Sequence, residues 1–339
     1  MKAVVQHRYG SPEDLELGEV EKPVPGNDEV LVLVRAASVH PDVWHVVSGR
    51  PYVLRLMGAG FSRPRNAIPG TDMAGIVESV GGGVTRFGPG DAVFGETIPA
   101  QQWSNGGAYA EYVCVQQDLL ALKPDNITFE QAASVPSSGY IALQNLRDVG
   151  RLGPGRAVLI NGAGGGVGAL ALQIVKAHGA HVTAVDSTGK LGMLRSLGAD
   201  EVVDYTQEDF TRRGVRYDLI FDVPGNRPFS AFKEALAPDG RYVPIGHEHY
   251  GASGRRVFGL IPHFMKLMLI SRFVKRLRGP GTAMPTKSEA IAALRDFLEA
   301  GAITPVIDST YPLSEVRNAF RRMMEDEIQG KVMITPGVA

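Results

Sequence analysis

The clearest chemistry in the sequence lies in residues 157–168, where four apolar residues run into a turn almost without side chains. Residues 157–160 read as a buried strand. From Gly166 the spacing of Val167, Leu170 and Ile174 reads as a helix that stops at Gly179. A strand, a glycine turn and a helix in that order let main chain approach a pyrophosphate. The helix N-terminus meets it with free N–H groups and a positive dipole end. The spacing is Ala163-x-Gly165-x-x-Gly168, with Ala where Gly is commoner. Asn161, Gly162, Ala163, Gly165, Gly166, Val167 and Gly168 are the candidate phosphate-binding residues. A second strand, 181–185, ends in Asp186, about 20 residues past Gly168, where a carboxylate suits ribose hydroxyls. After it, Ser187, Thr188 and Lys190 are candidates to surround a 2′-phosphate with donors and charge, which Asp186 would repel. The pair of signals leaves NADPH and NADH open on the residues alone.

A second group is Ser38-Val39-His40-Pro41-Asp42-Val43-Trp44-His45, with Tyr52 after it. His40 can donate to a substrate oxygen or deliver a proton near neutral pH, and can equally be a histidine bonded to backbone. His45 is the next candidate, its alternative a place on a helix surface. Trp44 and Tyr52 suit an apolar wall, with Tyr52 also a candidate proton donor. Asp42 is expected to cap the helix that follows.

These residues need elements to hold them. Strands are predicted at 30–34, 75–80, 91–94 and 108–115, between Gly- and Pro-rich turns, which suggests a small barrel-like domain. Helices are predicted at 141–148, 288–300 and 313–324, one more begins with Thr128 as cap, and a last strand lies at 331–334. Beyond the glycine turn, strands at 201–203, 217–223 and 241–245 continue a doubly wound sheet. The chain has 339 residues, enough for two domains and a large core. A net charge of −1 gives no general reason to expect nucleic acid. One cysteine, Cys114, rules out an internal disulfide and fits a reducing compartment. No run of 18 apolar residues predicts a membrane span. A soluble, cytoplasmic protein is expected. Residues 255–278 are basic and apolar with no acid. We read them as a flap over the cleft that packs on a partner subunit; a membrane-surface helix is the alternative.

Several stretches carry a resemblance: Pro69-Gly70-Thr71-Asp72-Met73-Ala74-Gly75, Gly88-Pro89-Gly90-Asp91-Ala92-Val93-Phe94-Gly95, the glycine turn, Ser196-Leu197-Gly198-Ala199-Asp200 and Gly330-Lys331-Val332. With them the chain resembles the medium-chain dehydrogenase/reductases, in their zinc-independent quinone-reductase-like branch. The resemblance implies an α/β protein with a GroES-like β-rich catalytic domain (1–125 and 279–339) and a Rossmann doubly wound parallel-sheet domain (126–278). It implies an active site in the cleft and a homodimer, commonly joined through Rossmann sheet edges. The Met and Phe side chains of the 255–278 flap would suit a bulky apolar small-molecule substrate. Relatives often carry an uncharged residue before Ser-Thr and prefer NADPH, and Tyr205 matches a position near the adenosine. NADPH is therefore the expected cofactor, with NADH second. Relatives also carry Asn where this chain has His40. In zinc-dependent members the metal is held by a Cys, a His and a later Cys. Here His40, Thr71 and Ser134 stand at or near those places, and hydroxyls are poor zinc ligands, so no metal is expected. The activity implied is hydride transfer to a quinone, an enone or a related carbonyl compound. A zinc-free alcohol dehydrogenase-like enzyme and a cofactor-binding protein without turnover are the alternatives.

Overall fold

The computed structural model describes residues 1–99, 103–147, 153–246, 257–259, 261–272, 274–277, 285–325 and 327–337. Its two main sheets divide the chemistry between them. The first is built from β3 (Glu29–Val39), β4 (Asp72–Val80), β5 (Ala92–Glu96), β6 (Tyr112–Gln116), β7 (Leu120–Leu122), β13 (Ile307–Pro312) and β14 (Lys331–Thr335). Its order is β13-β14-β3-β4-β5-β7, with β6 also paired to β3. A separate hairpin joins β1 (Lys2–Gln6) to β2 (Leu15–Glu19). The C-terminal strand β14 lies antiparallel to β3, with Val332 opposite Val39 and Met333 opposite Ser38. Both ends of the chain thus build one sheet. Its core centres on Val32, Val34, Met73, Tyr109 and Phe320, all fully buried.

The second sheet is parallel throughout: β8 (Ala157–Asn161), β9 (His181–Asp186), β10 (Glu201–Asp204), β11 (Tyr217–Asp222) and β12 (Leu236–Pro244), in the order β10-β9-β8-β11-β12. Val158 and Ile160 of β8 point to one core and Leu159 to another, so apolar residues occupy both faces of the strand, as burial between two helical layers requires. One layer holds α3 (Pro136–Arg147), α4 (Gly166–Ala177) and α8 (Lys287–Glu299). Every residue of α4 from Val167 to Val175 is buried, the pattern of a helix surrounded by protein.

The predicted strand starting at 30 is longer, and α3 begins before 141; its predicted end, Asp148, lies outside the described residues. The predicted strand at 108–115 forms only from Tyr112. Thr128 caps α2 (Phe129–Ala133) through a reciprocal bond pair with Gln131, and Thr286 caps α8 in the same way with Glu289. The cap of α1 (Pro41–Ser48) is His40 rather than Asp42. The His40 Nδ1 accepts from the Asp42 N–H at 3.1 Å, because the ring sits at the N-cap and Asp42 one turn position inside. In the 255–278 insert, 255–256, 260, 273 and 278 lie outside the described residues. The described part forms α7 (Ile261–Ser271), whose Leu267 packs in the core beside β12. None of its described residues is among those lining the cleft described below. Leu267 and Ile270 pack α7 against the core of the parallel sheet, while Met265, Met268 and Leu269 on its other side stay exposed.

The glycine turn depends on absent side chains. A Cβ on Gly168 would lie 2.1 Å from the Gly162 carbonyl oxygen, a backbone atom that cannot move aside cheaply. Gly168→Ala is expected to destabilise the fold by about 1–3 kcal/mol and to loosen the turn. A lower Tm together with weaker nucleotide binding would establish it; an unchanged Tm would show that helix and turn separate without penalty.

Candidate active site

The glycine turn leaves β8 where the strand order reverses, and β11 lies on the other side of that point. Ligands in such sheets bind outside the carboxyl ends of the strands there. A cleft of about 590 Å³ opens at this place between the two sheets. Asn161, Gly162, Gly165, Gly166 and Val167 line it from the turn; Val39, His40 and Trp44 line it from the end of β3 and the start of α1. Gly330, Lys331 and Val332 close it from β14.

The turn is held from below by a carboxylate. Asp222, fully buried at the end of β11, accepts from Asn161 Nδ2 at 2.8 Å, from the Tyr242 hydroxyl at 2.7 Å and from the Gly225 N–H at 3.3 Å. Burial pushes the Asp222 carboxyl up and these hydrogen bonds pull it back. Ala163 and Gly168 are buried behind the turn, and α4 follows Gly165 as N-cap with no side-chain cap on its first amides. A Cβ on Gly166 would meet Lys331 Cδ at 2.9 Å, and one on Gly164 would meet Lys190 Cδ at 2.5 Å. The turn is therefore a bare cradle with a lysine at each side, a fit for a pyrophosphate.

At the far end, Asp186 does not stand as an open carboxylate. It accepts from the Gly164 N–H at 2.7 Å and the Ser187 N–H at 2.9 Å, and the Lys190 ammonium lies 3.3 Å away. Both side chains of the pair are nearly buried. Lys190 thus offsets the charge that would repel a 2′-phosphate. Tyr205 also lines this end, as does Arg227. Ser187 and Thr188 are not among the cleft-lining residues, and Thr188 Oγ1 donates to the Asp204 carboxylate.

The catalytic candidates divide. His40 is 2% exposed and lines the cleft; with Nδ1 accepting from the Asp42 amide, the neutral ring carries its proton on Nε2. His45 Nδ1 pairs with the Arg50 carbonyl at 2.8 Å and its ring meets Trp103 edge-on at 5.6 Å. Tyr52 is 40% exposed under the Arg55 guanidinium. Neither lines the cleft.

Sequence reasoning missed Lys331 as a site residue. Its ammonium is 3.3 Å from Ser38 Oγ and 3.9 Å from Asp72 Oδ2, inside the cleft wall. Asp72, wholly buried, accepts from Ser38 Oγ at 2.9 Å and from Ser137 Oγ. Burial lowers the Lys331 amine to about 8, against the pull of Asp72, Asp42 and Glu96. Because the folded value lies below the ordinary one, the folded chain holds fewer protons between about 8 and 10.5, so this group adds stability as pH rises through that window. Glu96, opposite Asp72 across β4 and β5, is pushed up to about 7 by burial and by Asp72, while Lys287 opposes the shift. A Gly-Lys-Val sequence after a helix was the only signal for Lys331, and nothing local aims it at the turn.

Residues 26–125 match the family described as "Alcohol dehydrogenase GroES-like domain", and residues 197–334 the one described as "Zinc-binding dehydrogenase". The chain is 30% identical to the chloroplast envelope quinone oxidoreductase homolog of Arabidopsis thaliana, over 99% of this chain and 98% of that one. It is 31% identical to the chloroplastic NADPH-dependent alkenal/one oxidoreductase of the same plant, over 99% of this chain and 80% of that one. The structure of Escherichia coli quinone oxidoreductase complexed with NADPH superposes with a TM-score of 0.78 at 26% identity, over 99% of this chain and 100% of the other. The chain belongs to the medium-chain dehydrogenase/reductase superfamily, in its quinone-oxidoreductase-like branch.

Zinc does not fit the donors present. Ser134 Oγ is committed to the Gln131 carbonyl at 2.7 Å, Thr71 offers a hydroxyl, and Asp72 is occupied by serine donors. Among the described residues no three His, Cys, Asp or Glu side chains are placed to hold a metal ion.

Lys190→Ala is expected to weaken NADPH binding about tenfold or more and NADH binding less, because it exposes a 2′-phosphate to the uncompensated Asp186. Fluorescence titration with both nucleotides decides; equal losses would place Lys190 outside the phosphate site.

Proposed function

We propose that the protein is an NADPH-dependent, zinc-independent reductase of quinones and of alkenes conjugated to a carbonyl. The observation that carries this reading is the bare glycine turn open to a cleft whose other wall supplies His40 and Lys331. Two relatives named for quinone reduction and for NADPH-dependent alkenal/one reduction support it.

On this reading Gly165, Gly166 and Val167 hold the diphosphate through their amides, and Asn161 keeps the turn in register. Asp186, Lys190 and Tyr205 form the adenosine end. When bound, the reduced nicotinamide supplies the hydride. An enone or quinone that accepts it develops negative charge on its oxygen and needs a proton there. His40 donates a hydrogen bond from Nε2 to that oxygen, and Lys331 holds the proton to be delivered, its lowered basicity easing transfer. Ser38 and Asp72 keep the ammonium at the turn. Trp44, packed on Phe320 at 5.9 Å, presents an apolar wall to the substrate. A conjugated acceptor spreads the developing charge, so hydrogen-bond donors suffice in place of a Lewis acid.

The partner this reading expects is a second copy of the chain, joined through an edge of the parallel sheet, which β10 and β12 form among the described residues. Sedimentation should give twice the chain mass, and a monomer at working concentration would remove the pairing.

Lys331→Met is expected to lower kcat by roughly 10²-fold and to abolish an alkaline limb near pH 8 in the kcat/KM profile, which reports the free enzyme, since wild-type turnover falls as this amine loses its proton. His40→Ala should lower kcat with cofactor affinity nearly intact. An alkaline limb that survives in Lys331→Met would take Lys331 out of the proton path.

A further inference from the structure

Two segments concentrate the exposed apolar side chains. In the first, Leu56, Met57 and Phe61 are 73%, 54% and 79% exposed. In the second, Phe258 and, on the outer side of α7, Met265, Met268 and Leu269 are each more than half exposed. The segments touch: the Val53 N–H donates to the Val257 carbonyl at 3.0 Å, and Gly259 packs against the Pro51 ring. Most of the large apolar side chains exposed among the described residues lie here. An exposed patch of this kind marks an interaction surface.

The exposure is supported from beneath. Arg55 stacks on the rings of Tyr9 and Tyr52 at 4.4 and 4.7 Å and donates to the Gly49 carbonyl at 3.0 Å. The Tyr9 hydroxyl donates to the Gly60 carbonyl at 2.5 Å. Leu267 and Ile270 anchor α7 from its other side.

Charge identifies the occupant. From Val43 to Thr71, and again from His249 to Thr286, every charged side chain is a lysine or arginine, in a chain whose net charge is −1. Arg63, Arg65, Lys266 and Arg272 are exposed and form no ion pair with the described residues. An isologous contact with a second copy would set these cations against each other. Exposed apolar side chains on the same two segments as exposed cations, with no acid in either segment, match a bilayer with anionic headgroups. The patch adjoins Arg50, which lines the cleft.

We propose that this face docks the protein on membranes rich in anionic phospholipid. The contact is peripheral, since no helix among the described residues is long and apolar enough to cross a bilayer.

The test is flotation of the full-length protein with vesicles of phosphatidylcholine, alone or mixed with phosphatidylglycerol. Binding is expected only to the mixed vesicles, with release at high salt. Arg63→Ala with Arg65→Ala should weaken it about tenfold or more, each cation near such a surface contributing roughly fivefold. Met57→Ser with Phe61→Ser should weaken it as well, and both variants should keep wild-type turnover of a water-soluble quinone. Flotation that does not distinguish the two vesicles, or that survives both double substitutions, overturns the proposal. So does a self-association in sedimentation that the Met57 and Phe61 substitutions abolish, which would make the face a subunit contact.

Discussion

The Gly330 N–H donates to the Gly164 carbonyl at 2.8 Å, and Gly330 also pairs in register with Gly165. This contact between two stretches of bare main chain joins the two sheets at the point where the cleft must form. One backbone hydrogen bond contributes only about 1 kcal/mol net. Its importance is geometric. Gly330 has a φ of 76°, and a Cβ there would lie 2.2 Å from the Val306 carbonyl oxygen, so no other residue fits without displacing main chain. With Gly330 fixed on the turn, Lys331 has one direction to go, across Gly166 and toward Ser38 and Asp72. The position of the candidate proton donor therefore follows from a backbone contact.

Buried charge is the second theme of the cleft. Removing an ion from water costs several kcal/mol, so each buried charge must find compensation in the protein. Asp186 is matched by Lys190, Glu96 by Lys287, and Asp72 by Lys331 together with serine hydroxyls. The compensation is least complete at Lys331, which retains an open cleft beside it and an amine held near 8. A group poised near neutral pH beside a nucleotide turn suits proton delivery better than a fully satisfied ion pair would.

The relation to the zinc-dependent members is chemical rather than architectural. The sheets and the cleft are shared with the family, while the places that could hold a metal carry a histidine, a threonine and a serine already committed to protein partners. His40 illustrates the exchange: the same ring that closes the N-terminus of α1 also faces the cleft, so helix capping fixes the tautomer of a candidate donor.

The parallel sheet, the glycine turn and its helix were legible in the chain alone, because these rest on local patterns: an apolar run, missing side chains and helical spacing, as does the cap at Thr128. His40 was legible as a candidate from its residue type and its place in the Ser38–His45 stretch. Which candidates share the cleft depends on packing between distant segments. His45 and Tyr52 are close to His40 in sequence, yet α1 and the turn after it carry them away from the cleft lining. Lys331 is 293 residues from Ser38 and reaches it because β14 pairs with β3. The paired state of Asp186 was hidden for a similar reason. A carboxylate's charge is visible in a sequence, but the lysine and amides that offset it are set by how the chain turns after β9.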